Sequence, residues 1–286
     1  MDISKTALVL EGGGFRAMFT SGVLDALLKH KVHLPYCIGV SAGAAYGISY
    51  VSRQFERNRE VNLQYTSDPR YMSWRNFFKK GSLFDWDFVY GEIPNKLIPL
   101  NYDAALSTDT VFKVGITNAL TGKAEFIKVS DLNKDELMQA VTASSSLPFV
   151  SPVAQFNDQM YMDGGISDAI PLSYALKDGN KRAIVVLTRN ADYKKKTIRF
   201  KSLFRLYYRK YPQLVKAILQ RAENYNASLR LIAKLEAEGK VFVIRPNEPM
   251  DVSRIENDAQ KLDVLYQKGF KQMEDQMIAL KTWLNS

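Results

Sequence analysis

The sequence predicts an α/β protein whose mostly parallel sheet is covered by helices on both faces. Short apolar runs with strand character alternate with segments whose apolar residues recur at helical spacing. Two of the runs end in glycine-rich turns that lead directly into such a segment, at residues 12–16 and 39–43. Strands and helices that alternate in this way form parallel sheets with helices on both sides.

The predicted elements follow one another in a regular order along the chain. Strands are predicted at residues 6–10, 36–38, 111–118, 124–129, 161–163, 183–188 and 241–244. Helices are predicted at residues 17–29, 44–48, 54–62, 135–144, 172–176, 212–237 and 257–283. The strands on either side of Thr121-Gly122 are expected to pair in antiparallel fashion.

The most informative motif is Gly39-Val40-Ser41-Ala42-Gly43, which lies between the second strand and a helix. Side chains at Gly39 and Gly43 would collide in so sharp a turn, and the turn lifts the serine hydroxyl above the sheet edge. This context predicts Ser41 as a catalytic nucleophile. The motif by itself also fits an ordinary tight turn between two core elements.

A second glycine run follows the first strand, at Glu11-Gly12-Gly13-Gly14-Phe15-Arg16. Backbone N–H groups at the start of a helix attract negative charge, so Gly12, Gly13 and Gly14 are candidate oxyanion-hole donors. Arg16 adds a cation in the first turn, where it either holds a negative headgroup or supports the glycine loop.

A dinucleotide site is a competing interpretation of the same run, because Gly12, Gly14 and Ala17 fit the permissive fingerprint. That site also needs an acidic residue at the end of the second strand, and Gly39-Val40-Ser41 stands there instead. The chain also has no Gly-Lys-Ser/Thr sequence of the kind that a P-loop requires.

The base that activates the serine is predicted to be Asp163, which ends a short strand and precedes Gly164 and Gly165. The chain has two histidines, His30 and His33, and none follows Ser41. A triad in the chain order serine, acid, histidine is therefore excluded. The arrangement predicts a serine–aspartate dyad.

Together these motifs resemble the patatin-like phospholipase family. The resemblance rests on Gly-Gly-Gly-Phe-Arg at 12–16, Gly-Val-Ser-Ala-Gly at 39–43 and Asp-Gly-Gly at 163–165, and residues 143–149 also match the family pattern. It covers about residues 5–190 and implies a three-layer α/β/α sandwich with lipid acyl hydrolase activity. Two positions depart from the family pattern: Glu11 replaces a frequent aspartate, and Ala17 replaces a common glycine.

Composition is consistent with one sizeable core. The chain has 286 residues, 46% of them hydrophobic, and no apolar run of the roughly eighteen residues that a membrane helix needs. The N-terminal residues lack the pattern of a secretion signal, and the single cysteine, Cys37, forms no disulfide within the chain. We therefore expect a cytoplasmic protein, peripheral at the inner face of the membrane.

Two segments predict contacts with lipid. Residues 66–102 are rich in aromatic side chains, which either line an acyl-chain pocket or pack into the core. Residues 193–222 carry ten lysines and arginines and no acid, part of a net charge of +9. The part at 194–210 also carries aromatic residues, which favours contact with an anionic membrane over nucleic-acid binding. A solvated helix face would have the same composition.

The sequence thus predicts a catalytic domain at residues 5–190 and a basic, mostly helical region at 191–286 that packs on it or completes it. The expected reaction is cleavage of fatty-acyl esters, of phospholipase A, lysophospholipase or carboxylesterase type, through an acyl-enzyme on Ser41. The substrate is a phospholipid or another fatty-acyl ester, and the reaction needs neither a cofactor nor a metal. The alternatives are an acyltransferase with the same dyad and a non-enzymatic lipid-binding protein.

Overall fold

A single mixed sheet of eight strands organises the chain. A computed structural model describes residues 3–286. The strands are β1 (Thr6–Leu10), β2 (Tyr36–Val40), β3 (Val111–Asn118), β4 (Ala124–Lys128), β5 (Ala154–Phe156), β6 (Gln159–Asp163), β7 (Arg182–Val186) and β8 (Val241–Ile244). Their order is β5-β6-β3-β2-β1-β7-β8, with β4 also paired to β3. The five strands β3, β2, β1, β7 and β8 pair in parallel. Strands β4 and β6 pair antiparallel with β3, and β5 pairs antiparallel with β6.

Ten α-helices of residues 3–286 surround the sheet. They are α1 (Met18–Lys29), α2 (Ala42–Val51), α3 (Arg57–Tyr65), α4 (Trp74–Lys80), α5 (Tyr102–Leu106), α6 (Lys134–Ser145), α7 (Leu172–Lys177), α8 (Lys201–Tyr207), α9 (Pro212–Ala237) and α10 (Ala259–Asn285). A π-helical segment spans Asp87–Leu97, and short 3₁₀ turns lie at Gly14–Ala17, Val129–Asp131 and Gly164–Ile166. Within residues 3–286, no helix combines the length and apolar character of a transmembrane span.

The alternating side chains of β1 divide the core into two layers. Leu8 and Leu10 pack with α1, α2, α6 and α10 on one face of the sheet. Ala7 and Val9 pack with α7 and α9 on the other face. Successive side chains of a strand point to opposite faces, so a strand buried on both faces is apolar throughout. The predicted three-layer α/β/α sandwich with a mostly parallel sheet is confirmed.

Most predicted elements are present, with shifted boundaries. The helix expected at 54–62 begins at Arg57, because Glu56 has a left-handed backbone with φ 57° that interrupts a helix. The strand expected at 183–188 ends at Val186. The sequence did not predict β5, α4, α5 or α8, whose three to seven residues are too short for a clear periodic pattern.

The packing of α1 against α10 depends on two glycines. A Cβ at Gly22 would overlap the Tyr266 carbonyl oxygen, and one at Gly269 would overlap the Phe19 carbonyl oxygen. The two backbones therefore touch, and this contact buries Asp25, which accepts a hydrogen bond from the Tyr266 hydroxyl at 3.0 Å. Burial raises the pKa of Asp25 to about 7.

Asp25 makes the stability of the fold depend on pH. Its folded pKa of about 7 exceeds the ordinary aspartate value of 3.8, so between these pH values the native state binds a proton that the unfolded state does not. Stability therefore falls as pH rises toward 7. We expect Asp25→Asn to remove this slope and to stabilise the protein at pH 8 by up to about 4 kcal/mol, since one pKa unit is worth about 1.4 kcal/mol. Thermal melts of both proteins from pH 5 to 8 test this, and parallel curves would contradict it.

Candidate active site

Two strands meet end to end on one edge of β3. Gly115 of β3 pairs with Val40, the last residue of β2, and the next residue, Ile116, pairs with Asp163, the last residue of β6. The other edge of β3 is occupied by β4 at both positions, so β2 and β6 share a single edge. Because β2 and β6 run in opposite directions, the C-terminal ends of both strands lie at the same point of this edge.

Ser41 occupies a strained turn at this point. Its backbone has φ 55° and ψ −130°, a combination that non-glycine residues rarely adopt. Backbone strain of this kind is concentrated at functional sites. A Cβ on Gly39 would lie 2.6 Å from the Gly43 carbonyl oxygen, and one on Gly43 would lie 2.7 Å from the Glu11 carbonyl oxygen. Both predicted support glycines are thus required by the close approach of the backbone.

The Ser41 hydroxyl and the Asp163 carboxylate are in direct contact. Ser41 Oγ donates a hydrogen bond to Asp163 Oδ2 at 2.6 Å, and the exposed fractions of the two residues are 7% and 1%. A short bond between a hydroxyl and a carboxylate is charge-assisted and strong. The geometry brings together the predicted nucleophile and the predicted base, 122 residues apart in the chain.

Further hydrogen bonds fix the carboxylate. Its other oxygen, Oδ1, accepts the Gly165 N–H at 2.7 Å, so one oxygen is anchored while the other faces Ser41. The Asp163 carbonyl accepts the Thr117 hydroxyl at 2.9 Å. A Cβ on Gly164 would overlap the backbone of Gly115, which keeps the turn close to β3.

Ser144 supports the nucleophile from behind, a contact that the sequence did not reveal. Its hydroxyl accepts the Ser41 N–H at 2.8 Å and donates to the Gly115 carbonyl at 2.7 Å. Ser144 is fully buried at the end of α6. Ser144 lies in the stretch 143–149 that matches the family pattern. This match is the one sequence signal that could have marked Ser144 as part of the site.

The glycine loop lies against the serine. A Cβ on Gly12 would be 3.1 Å from Ser41 Cβ. The Gly12 N–H donates to the Ala169 carbonyl at 3.2 Å, so it is already occupied. Among residues 3–286 the N–H groups of Gly13 and Gly14 have no acceptor, and Gly14 has φ 58°. These two groups are therefore available to a bound ligand.

An apolar cavity opens next to Ser41. It spans about 500 Å³, a volume that includes open solvent. Most of its aromatic lining comes from the predicted aromatic segment, at Tyr71, Phe84, Trp86 and Tyr90, and the rest comes from Phe15 and Tyr46. The rings of Phe84, Trp86 and Tyr90 stack in series, with centroids 5.0 and 5.4 Å apart. A second cavity shares Tyr46, Tyr71 and Tyr90 and continues toward Arg57.

Glu11 and Arg16 flank the glycine loop. The Glu11 carboxylate accepts the Thr188 N–H and, at 2.7 Å, the Tyr225 hydroxyl from α9. Arg16 is buried, and burial together with the neighbouring Arg189 and Arg254 lowers its pKa to about 10. Tyr225 and Arg254 lie in the C-terminal region, where no motif identified them.

The two histidines lie away from this constellation. His30 Nε2 contacts Glu274 Oε1 on α10 at 2.6 Å. His33 follows α1, and its burial, together with the charge of Arg53, lowers its pKa. Neither histidine lines the cavity at Ser41.

Known proteins are similar to this chain over much of its length. The chain is 28% identical over 253 residues to "Uncharacterized protein YjjU" of Escherichia coli (strain K12), covering 86% of this chain and 70% of that protein. It is 22% identical over 196 residues to "Probable lipid hydrolase 463L" of Invertebrate iridescent virus 6, covering 61% of this chain and 64% of that protein. Among solved structures, VipD from Legionella pneumophila aligns over 99% of this chain and 67% of that chain, with TM-score 0.47 and 11% identity.

Two family models match separate parts of the chain. A domain of unknown function, DUF6363, matches residues 211–285, which include α9, β8 and α10. The patatin-like phospholipase model matches residues 8–176, more than half of the chain, and this range contains the glycine loop, the Ser41 turn and Asp163. The chain therefore belongs to the patatin-like phospholipase family and is a lipid acyl hydrolase that acts on carboxylic ester bonds.

Proposed function

We propose that the chain cleaves fatty-acyl esters of the phospholipase A, lysophospholipase or carboxylesterase type, with Ser41 as nucleophile and Asp163 as general base. The observation that carries this proposal is the buried 2.6 Å hydrogen bond from Ser41 Oγ to Asp163 Oδ2, at the edge of an apolar cavity. A hydroxyl that is hydrogen-bonded to a base and backed by an anchored turn is the general arrangement of an activated nucleophile.

The first half-reaction forms an acyl-enzyme. Asp163 Oδ2 takes the hydroxyl proton while Ser41 Oγ attacks the ester carbonyl carbon. The resulting oxyanion accepts hydrogen bonds from the N–H groups of Gly13 and Gly14, and each such donor is typically worth about 10²- to 10³-fold in rate. Gly12, also predicted as a donor, is assigned to loop support because its N–H is occupied.

Loss of the alcohol completes the acyl-enzyme, and the second half-reaction hydrolyses it. As the tetrahedral intermediate collapses, Asp163 gives its proton to the departing alcohol oxygen. Asp163 then takes a proton from water, whose oxygen attacks the acyl carbon. As this second tetrahedral intermediate collapses, Asp163 returns the proton to the departing Ser41 Oγ, which releases the fatty acid and restores the free enzyme. The acyl chain lies along Phe84, Trp86 and Tyr90, whose rings replace water around it.

A lipid panel tests the reaction and separates hydrolysis from acyl transfer to an alcohol. We expect mass spectrometry of lipids incubated with the pure protein to show free fatty acid and the matching deacylated lipid. Fatty acid should remain the main product when glycerol is added as an acceptor alcohol. Conversion of most of the acyl groups to new esters would instead assign an acyltransferase, and no turnover on any short- or long-chain ester would favour a lipid-binding protein.

We also propose that residues 191–286 complete the catalytic domain. Three observations support this: β8 pairs with β7 in the sheet, α10 packs on α1 through paired glycines, and Tyr225 of α9 donates to Glu11 at the glycine loop. These contacts tie the C-terminal region to the same sheet that carries Ser41.

The segment 194–210 is proposed to contact an anionic membrane from the inner face, as a peripheral surface. It presents exposed apolar side chains at Phe200, Leu203, Leu206 and Tyr207, of which Phe200 is 73% exposed. Exposed lysines and arginines surround them, a combination that suits an anionic headgroup layer. Lys195 does not belong to this surface, because its ammonium lies 4.4 Å from the Tyr225 ring in the interior.

Charge removal tests this membrane contact. A fourfold glutamine variant at Lys194, Lys196, Arg199 and Lys201 is expected to bind vesicles containing phosphatidylglycerol at least tenfold more weakly, since each basic residue near such a surface is worth about 1 kcal/mol. Wild-type binding should also weaken with salt, because exposed charges are screened over about 8–10 Å at 0.1–0.15 M. Vesicle sedimentation measures both effects.

The matched control carries the same charge change elsewhere. Glutamine replaces Lys5, Lys177, Lys181 and Lys281, which are exposed and lie before β1, at the end of α7, before β7 and near the end of α10. This control should bind vesicles like wild type, and both variants should hydrolyse a soluble short-chain ester. Equal vesicle binding by all three proteins would leave the segment as a solvated helix face.

A further inference from the structure

The helix α9 contacts both loops that flank Ser41, the glycine loop and the turn after β6. This helix lies outside residues 8–176, which match the patatin-like phospholipase model, and inside residues 211–285, which match the domain of unknown function. Two of its side chains, Arg221 and Tyr225, are four positions apart and therefore lie on the same face of the helix. Each of them donates a hydrogen bond to a different loop of the site.

Arg221 holds the turn that follows Asp163. Its Nε donates to the Gly165 carbonyl, and the N–H of the same glycine donates to Asp163 Oδ1 at 2.7 Å. A Cβ on Gly165 would lie 3.3 Å from Arg221 Nη2, so the guanidinium packs directly on the turn. Burial lowers the pKa of Arg221 to about 10, which leaves the side chain charged at neutral pH. The guanidinium of α9 and the Asp163 carboxylate are therefore joined through one glycine.

Tyr225 holds the residue from which the glycine loop begins. Its hydroxyl donates to Glu11 Oε1 at 2.7 Å, and the exposed fractions of Tyr225 and Glu11 are 3% and 2%. The other carboxylate oxygen of Glu11 accepts the Thr188 N–H. The Thr188 side chain in turn lies against the loop, because a Cβ on Gly13 would be 2.8 Å from Thr188 Cγ2. The buried carboxylate thus ties the glycine loop both to α9 and to the chain after β7.

Apolar packing fixes α9 against the site. Ile218, about one turn before Arg221, shares an apolar cluster with Met162 of β6 and with Ile166, which ends the turn that follows β6. The Tyr225 ring belongs to the apolar cluster on the α7 and α9 face of the sheet. A donor on a packed helix holds its acceptor more precisely than a mobile surface side chain does. The two hydrogen bonds from α9 are therefore suited to hold geometry at the site.

We infer that Arg221 and Tyr225 are positioning residues of the acyl-transfer reaction, so that α9 holds the base and the oxyanion loop in place together. Arg221 fixes the turn that orients the Asp163 carboxylate toward Ser41, and Tyr225 fixes the start of the glycine loop. The inference rests on the proposed function, since it assigns the supports of the dyad and the oxyanion donors proposed there. A misplacement of about 1 Å in such groups can lower a rate about 100-fold, so both residues should affect kcat more than KM.

Kinetics on a soluble short-chain ester test this inference without a contribution from membrane binding. We expect Arg221→Gln and Tyr225→Phe each to lower kcat about tenfold or more while KM changes by less than about twofold. Arg221→Lys keeps a cationic donor and should recover most of the lost kcat. The matched controls are Arg230→Gln, at an exposed arginine of α9, and Tyr193→Phe, which removes the hydroxyl of the ring that packs edge-to-face on Tyr225. Both controls should keep the wild-type kcat.

A double-mutant cycle separates a positioning role from a purely structural one. If Arg221 acts through Asp163, Arg221→Gln should lower kcat by less than about twofold in Asp163→Asn protein, because the base that it positions is already lost. Tyr225→Phe should keep its full loss in the same background, because it acts on the glycine loop. Rates are divided by the folded fraction from thermal melts. Arg221→Met, which also lacks the donor, replaces Arg221→Gln in the cycle if that protein does not fold.

The outcomes distinguish this inference from the proposed reaction. Equal losses from Arg221→Gln in both backgrounds would overturn the role of Arg221, and a wild-type kcat per folded molecule of Tyr225→Phe would overturn that of Tyr225. In either case Ser41→Ala and Asp163→Asn would still be impaired, and the proposed reaction would stand. Wild-type hydrolysis by Ser41→Ala or Asp163→Asn would instead refute the dyad, and the inference would fall with it.

Discussion

Ser41→Ala is expected to abolish ester hydrolysis and labelling by a fluorophosphonate probe. The substitution removes the hydroxyl that contacts Asp163 and leaves the backbone N–H free to donate to Ser144. Loss of a nucleophile that acts with its base as a unit costs many orders of magnitude, and we expect at least about 10⁴-fold in kcat. Probe mass spectrometry and fatty-acid release measure the two effects.

Ser145 provides the control for this experiment, because it lines the same cavity and its hydroxyl lies 2.8 Å from that of Tyr90. Ser145→Ala should keep the probe adduct at Ser41. The assignment fails if Ser41→Ala retains hydrolysis and the adduct appears on another serine. A folded variant is established first by its thermal melt.

Asp163→Asn is expected to lower activity by about 10²- to 10⁴-fold, the usual contribution of a positioned acid–base group. The amide oxygen still accepts the Gly165 N–H, so the turn after β6 keeps its main support. The amide has no basic oxygen to take the Ser41 proton. Steady-state rates on a soluble ester measure the loss without interference from membrane binding.

The histidines supply the contrasting variant. His30→Gln combined with His33→Gln removes every imidazole from the chain but touches no residue of the Ser41 cavity. The contact of His30 with Glu274 is partly exposed, and such pairs contribute about 0–1 kcal/mol. The double variant should therefore keep most of its activity. An inactive folded double variant together with an active Asp163→Asn would place a histidine in the mechanism.

Local sequence patterns were sufficient to predict the strands and turns that carry Ser41 and the glycine loop. Short, mostly apolar runs at residues 6–10 and 36–38 identified β1 and β2, and a glycine-rich turn marked the end of each. The exclusion of an ordinary triad needed only the chain order of the residues. Segments such as α8 and β5 were missed because a few residues in isolation do not show a period.

The contact between Ser41 and Asp163 was decided by strand register. Sequence placed each residue at the end of a strand, but their meeting requires β2 and β6 to share one edge of β3, ending opposite Gly115 and Ile116. Strand pairing depends on packing of the whole sheet and leaves no local signature at either residue. The dyad roles therefore stay predictions from motif and geometry together.

The charge environment of the site was likewise decided by tertiary structure. The sequence showed a basic segment at 194–210 and assigned Lys195 to its surface, whereas the fold turns Lys195 inward onto Tyr225. Arg254 reaches the glycine loop at Gly14, and Arg221 donates to the Gly165 carbonyl, only because the chain before α10 and α9 pack there. Composition determined that the chain is basic, and motifs predicted the residues of its catalytic site. Long-range packing determined which charges reach the site, because burial and proximity of side chains are set by the assembled fold.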